Sequence, residues 1–378
     1  MERDQALKFM HDLLRLMQQK NGSDLFITAH FPPAIKIDGK VTPVSSQVLT
    51  SQHTADLAHA IMSDRQAAEF EATKECNFSI SPSSIGRFRV NALVQQGRVA
   101  LVCRTISPTI PTIDELGLPV VLKDAAMSKR GLIILCGGAG MGKSTSLAAI
   151  IDHRNKNSHG HIITIEDPIE FVHEHQGCII TQREVGLDSD TWESALKNVF
   201  RQSPDVVMIG EIRDRKTMNV ALSLSETGHL CLATLHATSA NMAIDRIINL
   251  FPEENRQQVL MDLSFNLRAI ISQRLVAKKG SKGRVAAIEV LLNSPMIADL
   301  IFRGEVLGIK EIMQKSRELG MQTFDAALFD LYEAGLITYE DALRNADSIN
   351  NLRLQVKLYG SATKDRDHSE GIDHLEVI

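Results

Sequence analysis

The sequence lacks the cysteine pairs and the long apolar runs that mark several classes of protein. Its five cysteines are widely spaced and form no CxxC pair, which argues against a structural zinc site or a redox couple. No uninterrupted apolar run approaches the roughly 20 residues needed to cross a bilayer, so we expect no direct membrane insertion. The N-terminus, Met-Glu-Arg-Asp, has no signal-peptide pattern. We therefore expect a cytoplasmic protein whose cysteines are buried, reduced thiols.

Positive charge is not in excess either. The chain has 41 lysines and arginines against 46 aspartates and glutamates, and its net charge is -5. Non-specific affinity for nucleic-acid backbones depends on clustered lysine and arginine, so we expect no nucleic-acid partner. At 378 residues the chain exceeds the length at which one hydrophobic core usually stops growing, and two domains are expected.

A proline-rich segment separates two parts of the chain. Three prolines between residues 107 and 119 disfavour both helices and central strands, so we place a linker over 107–119. Before it, an apolar helical pattern from Leu7 to Met17 and several strand candidates predict a small α+β domain over residues 1–106. These strand candidates lie at 24–28, 34–38, 86–94 and 98–106.

The second part, residues 120–360, alternates strand-like runs with helical stretches. This order is typical of a parallel sheet covered by helices, and it predicts an α/β fold with a RecA-like or related P-loop core. The strand candidates lie at 131–136, 161–166, 205–210 and 230–235. Beyond residue 240 the pattern is mostly helical, with one strand candidate at 284–292. Residues 361–378 are polar and charged, and we expect a disordered tail there.

One segment matches the phosphate-binding pattern GxxxxGK[ST] between an apolar run and an amphipathic stretch. Its glycines let backbone N–H groups converge on phosphate oxygens, Lys143 can neutralise the β- and γ-phosphates, and the Ser144 hydroxyl can bind Mg²⁺. A chance glycine cluster in a turn is the alternative, which the flanking elements and the Lys-Ser ending disfavour. The segment predicts a nucleoside triphosphate site formed by Gly137, Gly138, Ala139, Gly140, Met141, Gly142, Lys143, Ser144 and Thr145.

Three more polar residues follow strand candidates, and ligands of open parallel sheets bind at the carboxyl ends of strands. Glu211 follows a strand in a Walker B-like arrangement, and we assign it to Mg²⁺ and its waters. Glu166 is a candidate for polarising the attacking water, with a solvated loop carboxylate as the alternative. His236 is placed to report the γ-phosphate, or else is a structural histidine. Arg213 suits either a phosphate or an ion pair with a neighbouring carboxylate.

The first domain contributes a different kind of candidate. Arg98 and Arg104 are separated by an even number of residues on one strand candidate, so they share a face of it. Arginines on one face, in a domain without an active site of its own, can reach a nucleotide bound elsewhere, as arginine fingers do. A solvated edge face is the alternative.

Taken in order, the motifs resemble those of secretion-superfamily ATPases, and in particular the type IV pilus retraction ATPases of the PilT/PilU family. The resemblance covers nearly the whole chain to about residue 350. Four motifs in the right order are far more specific than any one of them. The matching segments are Gly22-Ser-Asp-Leu, Pro32-Pro-Ala-Ile-Lys-Ile-Asp-Gly, Gly86-Arg-Phe-Arg-Val-Asn, the P-loop, the acidic box 164–170, the Walker B segment 210–214 and the histidine box 227–236.

This resemblance implies a PAS-like N-terminal domain, a RecA-like C-terminal domain and a homohexameric ring whose ATP sites lie where the domain of one subunit closes on another. It also implies that Glu166 promotes hydrolysis and that Glu211 works with Mg²⁺. Arg98 and Arg104 would reach the nucleotide from the N-terminal domain. The chain is then an ATPase that binds ATP and Mg²⁺ and couples hydrolysis to motion.

Within the superfamily, the absence of extra N-terminal domains and of a tetracysteine motif favours retraction over pilus extension. Residues 297–305 depart from the AIRNLIRE segment of the PilT branch, and with the polar extension after Gly360 they resemble the PilU branch. That branch implies pilin depolymerisation at the pilus base, alongside a PilT-like paralogue and an inner-membrane platform protein. Three alternatives stay open: a regulatory nucleotide-binding subunit, a type II secretion or conjugation ATPase, and a nucleic-acid translocase.

Overall fold

The computed structural model describes residues 2–106 and 109–360, and the chain divides into two compact units. The first unit contains Met1–Ile110, Asp167–Val172 and Glu184–Asp190, and the second contains the rest. The division between Ile110 and Pro111 falls inside the predicted linker, two residues of which, 107 and 108, lie outside the described part of the chain. The predicted tail 361–378 also lies outside it.

Two short segments correct the expectation that each domain is one continuous stretch of sequence. Residues 167–172 and 184–190 belong to the first unit although the P-loop part of the chain contributes them. The physical reason is ion pairing within that unit. Arg87 Nη2 lies 2.5 Å from Glu184 Oε2, and both side chains are largely buried. The same Glu184 oxygen accepts from the backbone N–H of Ile169 at 3.1 Å, which holds the other inserted segment.

The first unit is an α+β structure built on one antiparallel sheet of six strands in the order β3-β2-β1-β6-β5-β4. The helix predicted over residues 7–17 is confirmed as α1, whose buried Met10, Leu14 and Met17 recur at helical spacing. The four predicted strands are confirmed as β1, β2, β5 and β6, while β3 and β4 were missed. The elements are α1 (Arg3–Gln19), β1 (Asp24–Ile27), β2 (Ala34–Ile37), β3 (Lys40–Pro43), α2 (Ser51–Ile61), α3 (Asp64–Thr73), β4 (Glu75–Ile80), β5 (Arg87–Gln95) and β6 (Arg98–Ile106).

The second unit is built on a seven-stranded sheet in the order β13-β12-β7-β11-β10-β8-β9. Its strands are β7 (Gly131–Cys136), β8 (Gly160–Glu166), β9 (Cys178–Glu184), β10 (Val206–Ile209), β11 (Leu230–Leu235), β12 (Leu267–Ala277) and β13 (Arg284–Leu292). The five neighbours from β12 to β8 run parallel, and β13 pairs antiparallel with β12. The predicted parallel sheet is therefore present.

Helices cover both faces of this sheet. They are α4 (Val121–Ala126), α5 (Lys143–Asn157), α6 (Trp192–Val199), α7 (Arg215–Glu226), α8 (Ala240–Asn249), α9 (Arg256–Asn266), α10 (Pro295–Arg303), α11 (Ile309–Lys315), α12 (Phe324–Glu333), α13 (Tyr339–Asn345) and α14 (Ile349–Tyr359). One core joins α5 to the central strands through Leu147, Ile150 and Leu135. A second core joins the C-terminal helices to β12 and β13, with Phe324 and Val276 at its centre.

The expectation of mostly helical structure beyond residue 240 missed β12, an eleven-residue strand. Its middle residues are buried on both faces, from Ala269 to Gln273, so the sequence shows no alternation of apolar and polar residues. A strand buried on both faces cannot be distinguished from a buried helical segment by periodicity alone.

The cysteines are buried and free, as expected for thiols in a reducing compartment. Burial raises the pKa of the Cys76 thiol to about 11 and that of Cys103 to about 12, so neither forms a thiolate near neutral pH. In the part of the chain that the structure describes, no helix combines the length and apolar character of a membrane span.

Candidate functional site

The P-loop connects the end of β7 to the start of α5, in the strand, loop and helix order predicted from the sequence. Lys143 is the first residue of α5 and Gly142 is its N-cap. The Lys143 Nζ donates to the carbonyl oxygens of Gly137 and Gly138, each at 2.9 Å, so its ammonium group lies against the loop. The N–H groups of the first helical turn have no acceptor within the helix, which makes this end attractive to phosphate.

A glutamine that the sequence did not single out supports the loop from β12. Gln273 is 4% exposed, and its Oε1 accepts from the Ser146 hydroxyl of α5 at 2.7 Å. A Cβ placed on Gly142 would come within 2.8 Å of Gln273 Nε2, and Gly142 has a φ of +80°. The left-handed backbone therefore favours glycine at the N-cap of α5, and the Gln273 amide would have to move to admit a Cβ there.

Glu166 is the last residue of β8 and is only 8% exposed. Its Oε1 accepts from Thr164 Oγ1 at 2.6 Å and from Gln182 Nε2 at 3.1 Å. Gln182 in turn accepts from the backbone N–H of His173 at 2.7 Å through its Oε1. The carboxylate is thus held in one orientation by two donors, and it is not the solvated loop carboxylate considered as the alternative.

Glu211 and His236 form a pair at the ends of neighbouring strands. His236 Nε2 lies 3.2 Å from Glu211 Oε1. The other oxygen of Glu211, Oε2, accepts from Arg213 Nε at 2.8 Å. Of the two uses considered for Arg213, the structure shows the ion pair with a neighbouring carboxylate.

Backbone hydrogen bonds place Glu211 between the strands that carry Glu166 and His236. The N–H of Gly210 donates to the Ile165 carbonyl of β8 at 2.8 Å. On the other side, the N–H of Ile212 donates to the Thr234 carbonyl of β11 at 2.9 Å. A Cβ on Gly210 would come within 3.3 Å of the Glu166 Cα, so the absence of a side chain permits this close approach.

The sheet order brings these predicted residues to one edge. β7, β11, β10 and β8 are adjacent and parallel, so the P-loop, His236, Glu211 and Glu166 follow four neighbouring strands at their carboxyl ends. In doubly wound sheets this edge is where ligands bind. Backbone N–H groups and a lysine that can bind phosphate, together with carboxylates that can bind Mg²⁺ or orient a water, are the groups found in nucleoside triphosphate sites.

Arg98 and Arg104 lie on β6 of the first unit. Both side chains are exposed. Arg104 Nε donates to Asp24 Oδ1 at 2.8 Å. Burial acts to raise the pKa of Asp24, but the hydrogen bonds from Arg104 and Ser23 outweigh it, and the pKa lies below its ordinary value. The carboxylate is therefore ionised and holds the Arg104 guanidinium on the sheet surface.

Two of the residues at this edge carry oxygens of the kind that binds Mg²⁺. Among the described residues, no group of three His, Cys, Asp or Glu side chains is positioned to hold a metal ion. Mg²⁺ in nucleotide sites is usually bound by one or two protein oxygens together with phosphate oxygens and waters. Ser144, in the first turn of α5, and Glu211 could supply the two protein oxygens of such a site.

Sequence reasoning missed the residues that orient the site. Thr164, Gln182 and Gln273 are neutral polar residues whose partners were not identified from the sequence. Gln182 lies 16 residues from Glu166, and Gln273 lies 127 residues from Ser146. The one available signal was the alternation of β8, which places Thr164 on the same face as Glu166.

Comparison with known proteins identifies the family. The family model described as "Type II/IV secretion system protein" matches residues 7–299. The type IV pilus ATPase PilU of Pseudomonas aeruginosa is 57% identical over 94% of this chain and 93% of its own length. The type IV pilus retraction ATPase PilT of the same organism is 41% identical over 89% of this chain and 97% of its own.

A solved structure agrees with these relatives. The crystal structure of the pilus retraction motor PilT with bound ADP superposes with a TM-score of 0.84. It is 38% identical in sequence and covers 90% of this chain and 98% of its own. The mixed α/β fold is therefore shared with PilT, and the chain is an ATPase. The chain belongs to the type II/IV secretion system protein family and, within it, to the type IV pilus ATPases of the PilT/PilU type.

Proposed function

We propose that this ATPase hydrolyses Mg²⁺-bound ATP to drive type IV pilus retraction, working as an accessory motor beside a PilT-like paralogue. The observation that carries the proposal is the placement of the P-loop, Glu166, Glu211 and His236 at four adjacent strand ends. The similarity to PilU over nearly the whole chain supports the accessory role. A subunit that only bound nucleotide would not need both carboxylates.

The residues divide the chemistry among them. Backbone N–H groups of residues 137–145 and the Lys143 ammonium hold the phosphates, so Lys143 exchanges its loop carbonyls for phosphate oxygens. Ser144 and Glu211 would hold Mg²⁺, which would supply positive charge to the β- and γ-phosphates. Glu166, fixed by Thr164 and Gln182, orients and polarises the attacking water.

His236 reports the presence of the γ-phosphate through its contact with Glu211. Groups that hydrogen-bond to a metal-binding carboxylate are coupled to its orientation, so we expect a change of ligands at Glu211 to move His236. Loss of the γ-phosphate after hydrolysis then changes the position of the segment that carries His236.

The site is completed by assembly. We propose a cytoplasmic homohexamer in which the first unit is a PAS-like domain, the second is a RecA-like domain, and Arg98 and Arg104 reach a nucleotide from the first unit. Two exposed arginines on one strand face support this role. Force passes to the pilus through an inner-membrane platform protein.

Steady-state ATP turnover by the purified protein, alone and with its PilT-like paralogue, tests the enzymatic role. Glu166→Gln should lower kcat about 100-fold or more, since general bases contribute at least that factor. Glu211→Gln should lower kcat by a similar factor and raise the Mg²⁺ concentration that gives half-maximal turnover. Glu254→Gln is the matched control, because Glu254 is an exposed carboxylate that lies at none of the four strand ends. Unchanged turnover in both active-site variants would overturn the proposed roles.

Pilus retraction in cells tests the biological role. A strain lacking this protein should retract pili with reduced force, and Glu211→Gln should not restore it. Full complementation by Glu211→Gln would instead support a regulatory nucleotide-binding subunit. Normal retraction speed and force under load, combined with a secretion defect, would support an export ATPase. Mass determination of the assembly, with and without the paralogue, tests the hexamer.

A further inference from the structure

On the sheet face opposite α5, two charged residues lie directly behind the strand ends of the site. In the β12–β13 ladder, Ser272 is opposite Glu289 and Arg274 is opposite Ala287. Because residues two apart on a strand share a face, Arg274 and Glu289 are diagonal neighbours on one face. Neither was singled out by sequence reasoning, and neither has a role in the hydrolysis proposed above.

Arg274 joins two segments that are about one hundred residues apart in sequence. Its Nη2 donates to the Thr238 carbonyl at 3.2 Å and to Asp347 Oδ1 at 2.6 Å. Its Nη1 donates to the Asn345 carbonyl at 2.6 Å. The guanidinium also lies over the ring of Phe324, 3.9 Å from the centroid. The guanidinium is planar and rigid, so it makes all of these contacts in a single orientation.

The hydrogen bond from Arg274 to Thr238 holds the segment that begins at His236. Thr238 follows His236 by two residues, and Ser239 is the N-cap of α8. Glu289, which has no exposed surface, accepts from the Ala240 N–H at 2.7 Å through its Oε1. Arg274 and Glu289 therefore hold residues 238–240 from the β12–β13 face, directly after the histidine that contacts Glu211.

The hydrogen bonds from Arg274 to Asn345 and Asp347 hold the turn between α13 and α14. Lys310 Nζ also pairs with Asp347, on Oδ2. Asp325 of α12, 7% exposed, accepts from the N–H of Asp347 at 2.7 Å and from that of Ser348 at 3.1 Å. The turn is thus tied to α11 through Lys310 and to α12 through Asp325. The Arg274–Asp347 pair is itself shielded, with exposures of 23% and 18%.

We propose that Arg274 is a positioning residue that couples the His236 segment to helices α12 to α14. This inference rests on the proposed role of His236 as the reporter of the γ-phosphate. A displacement of Thr238 either breaks its hydrogen bond to Arg274 or carries the guanidinium with it. The same guanidinium holds Asn345 and Asp347. If it moves with Thr238, the turn before α14 therefore moves as well. The C-terminal helices thereby respond to the nucleotide, and a partner bound to them alters turnover in return.

Hydrogen exchange with and without nucleotide tests this coupling. ADP and a non-hydrolysable ATP analogue should give different protection of residues 339–360 in the wild-type protein. In Arg274→Met that difference should disappear, kcat should fall about tenfold, and nucleotide affinity should stay within threefold. Asp347→Asn keeps a side chain of the same size and should reduce the difference, which guards against a folding defect in the arginine variant.

Arg317→Met is the matched control. Arg317 pairs with Asp330 of α12 at 2.5 Å, but both side chains are about half exposed. This variant should retain the nucleotide-dependent protection and the wild-type kcat. The proposal is overturned if wild-type protection over 339–360 is the same with both nucleotides, or if the difference persists in Arg274→Met. The exchange readout needs no turnover, so it separates failure of the coupling from failure of the proposed retraction function.

Discussion

Gln182 offers a direct test of how Glu166 is held in its working orientation. Gln182→Met keeps the length of the side chain but removes the donor to Glu166 Oε1, which lies 3.1 Å from Gln182 Nε2. Hydrogen bonds to a charged group contribute about 1.5–3 kcal/mol, and at 3.1 Å we expect the lower end of that range. Because about 1.4 kcal/mol corresponds to a factor of ten in rate, kcat should fall about tenfold as the carboxylate samples other orientations.

The neighbouring donor sets the scale of the effect. Thr164 Oγ1 is only 2.6 Å from the same Glu166 oxygen, so Thr164→Val should cost more, up to about 100-fold in kcat. Neither residue belongs to the P-loop, so KM for ATP should stay within about threefold of wild type. In the double variant, kcat should fall by less than the product of the two single-variant factors, because both donors bind the same Glu166 oxygen.

Steady-state ATPase kinetics, with nucleotide affinity measured by fluorescence titration, provide the assay. Gln176→Met is the matched control: Gln176 also donates to a carboxylate at 3.1 Å, that of Asp152, away from the strand ends. It should leave kcat unchanged. If Gln182→Met is folded and hydrolyses ATP within twofold of wild type, Glu166 does not depend on this contact and the reasoning is refuted.

Three further changes test other parts of the site. Lys143→Ala should abolish nucleotide binding in a fluorescence titration, and retained binding would contradict the phosphate-holding role. Gly142→Ala should weaken binding about tenfold because it strains the helix N-cap against Gln273, whereas Gly39→Ala, with the same φ of +80° and no atom nearby, should not. Burial lowers the pKa of His173 to about 4 from 6.5, so about 3 kcal/mol of stability is present above pH 6.5 and is lost towards pH 4. His173→Gln should flatten the dependence of Tm on pH in that window, and an unchanged slope would contradict the buried neutral imidazole.

The residues that we assign to phosphate or water could be predicted from the sequence, because each lies at or just after the carboxyl end of an apolar strand. The prediction of Glu166, Glu211 and His236 required only a strand assignment and the rule that ligands bind at the carboxyl ends of strands. Gln182 and Arg274 could not be found this way. Gln182 lies 16 residues from Glu166 and Arg274 lies 73 residues from Asp347, and only the pairing of strands and the packing of helices brings them together. The same holds for the short segments 167–172 and 184–190, which ion pairs assign to the first unit.

β12, one of the strands that sequence reasoning missed, supports the site on both faces. Successive side chains of a strand point to opposite faces, so Gln273 contacts the P-loop helix while Arg274 contacts the segment after His236. Which face each residue takes is set by the pairing with β7, where an irregularity between Leu267 and Ala269 shifts the register. A slip of one residue would exchange the two faces and remove both contacts at once. The register of β12 therefore aligns the phosphate-binding loop with the histidine segment, although no residue of β12 is assigned to the nucleotide.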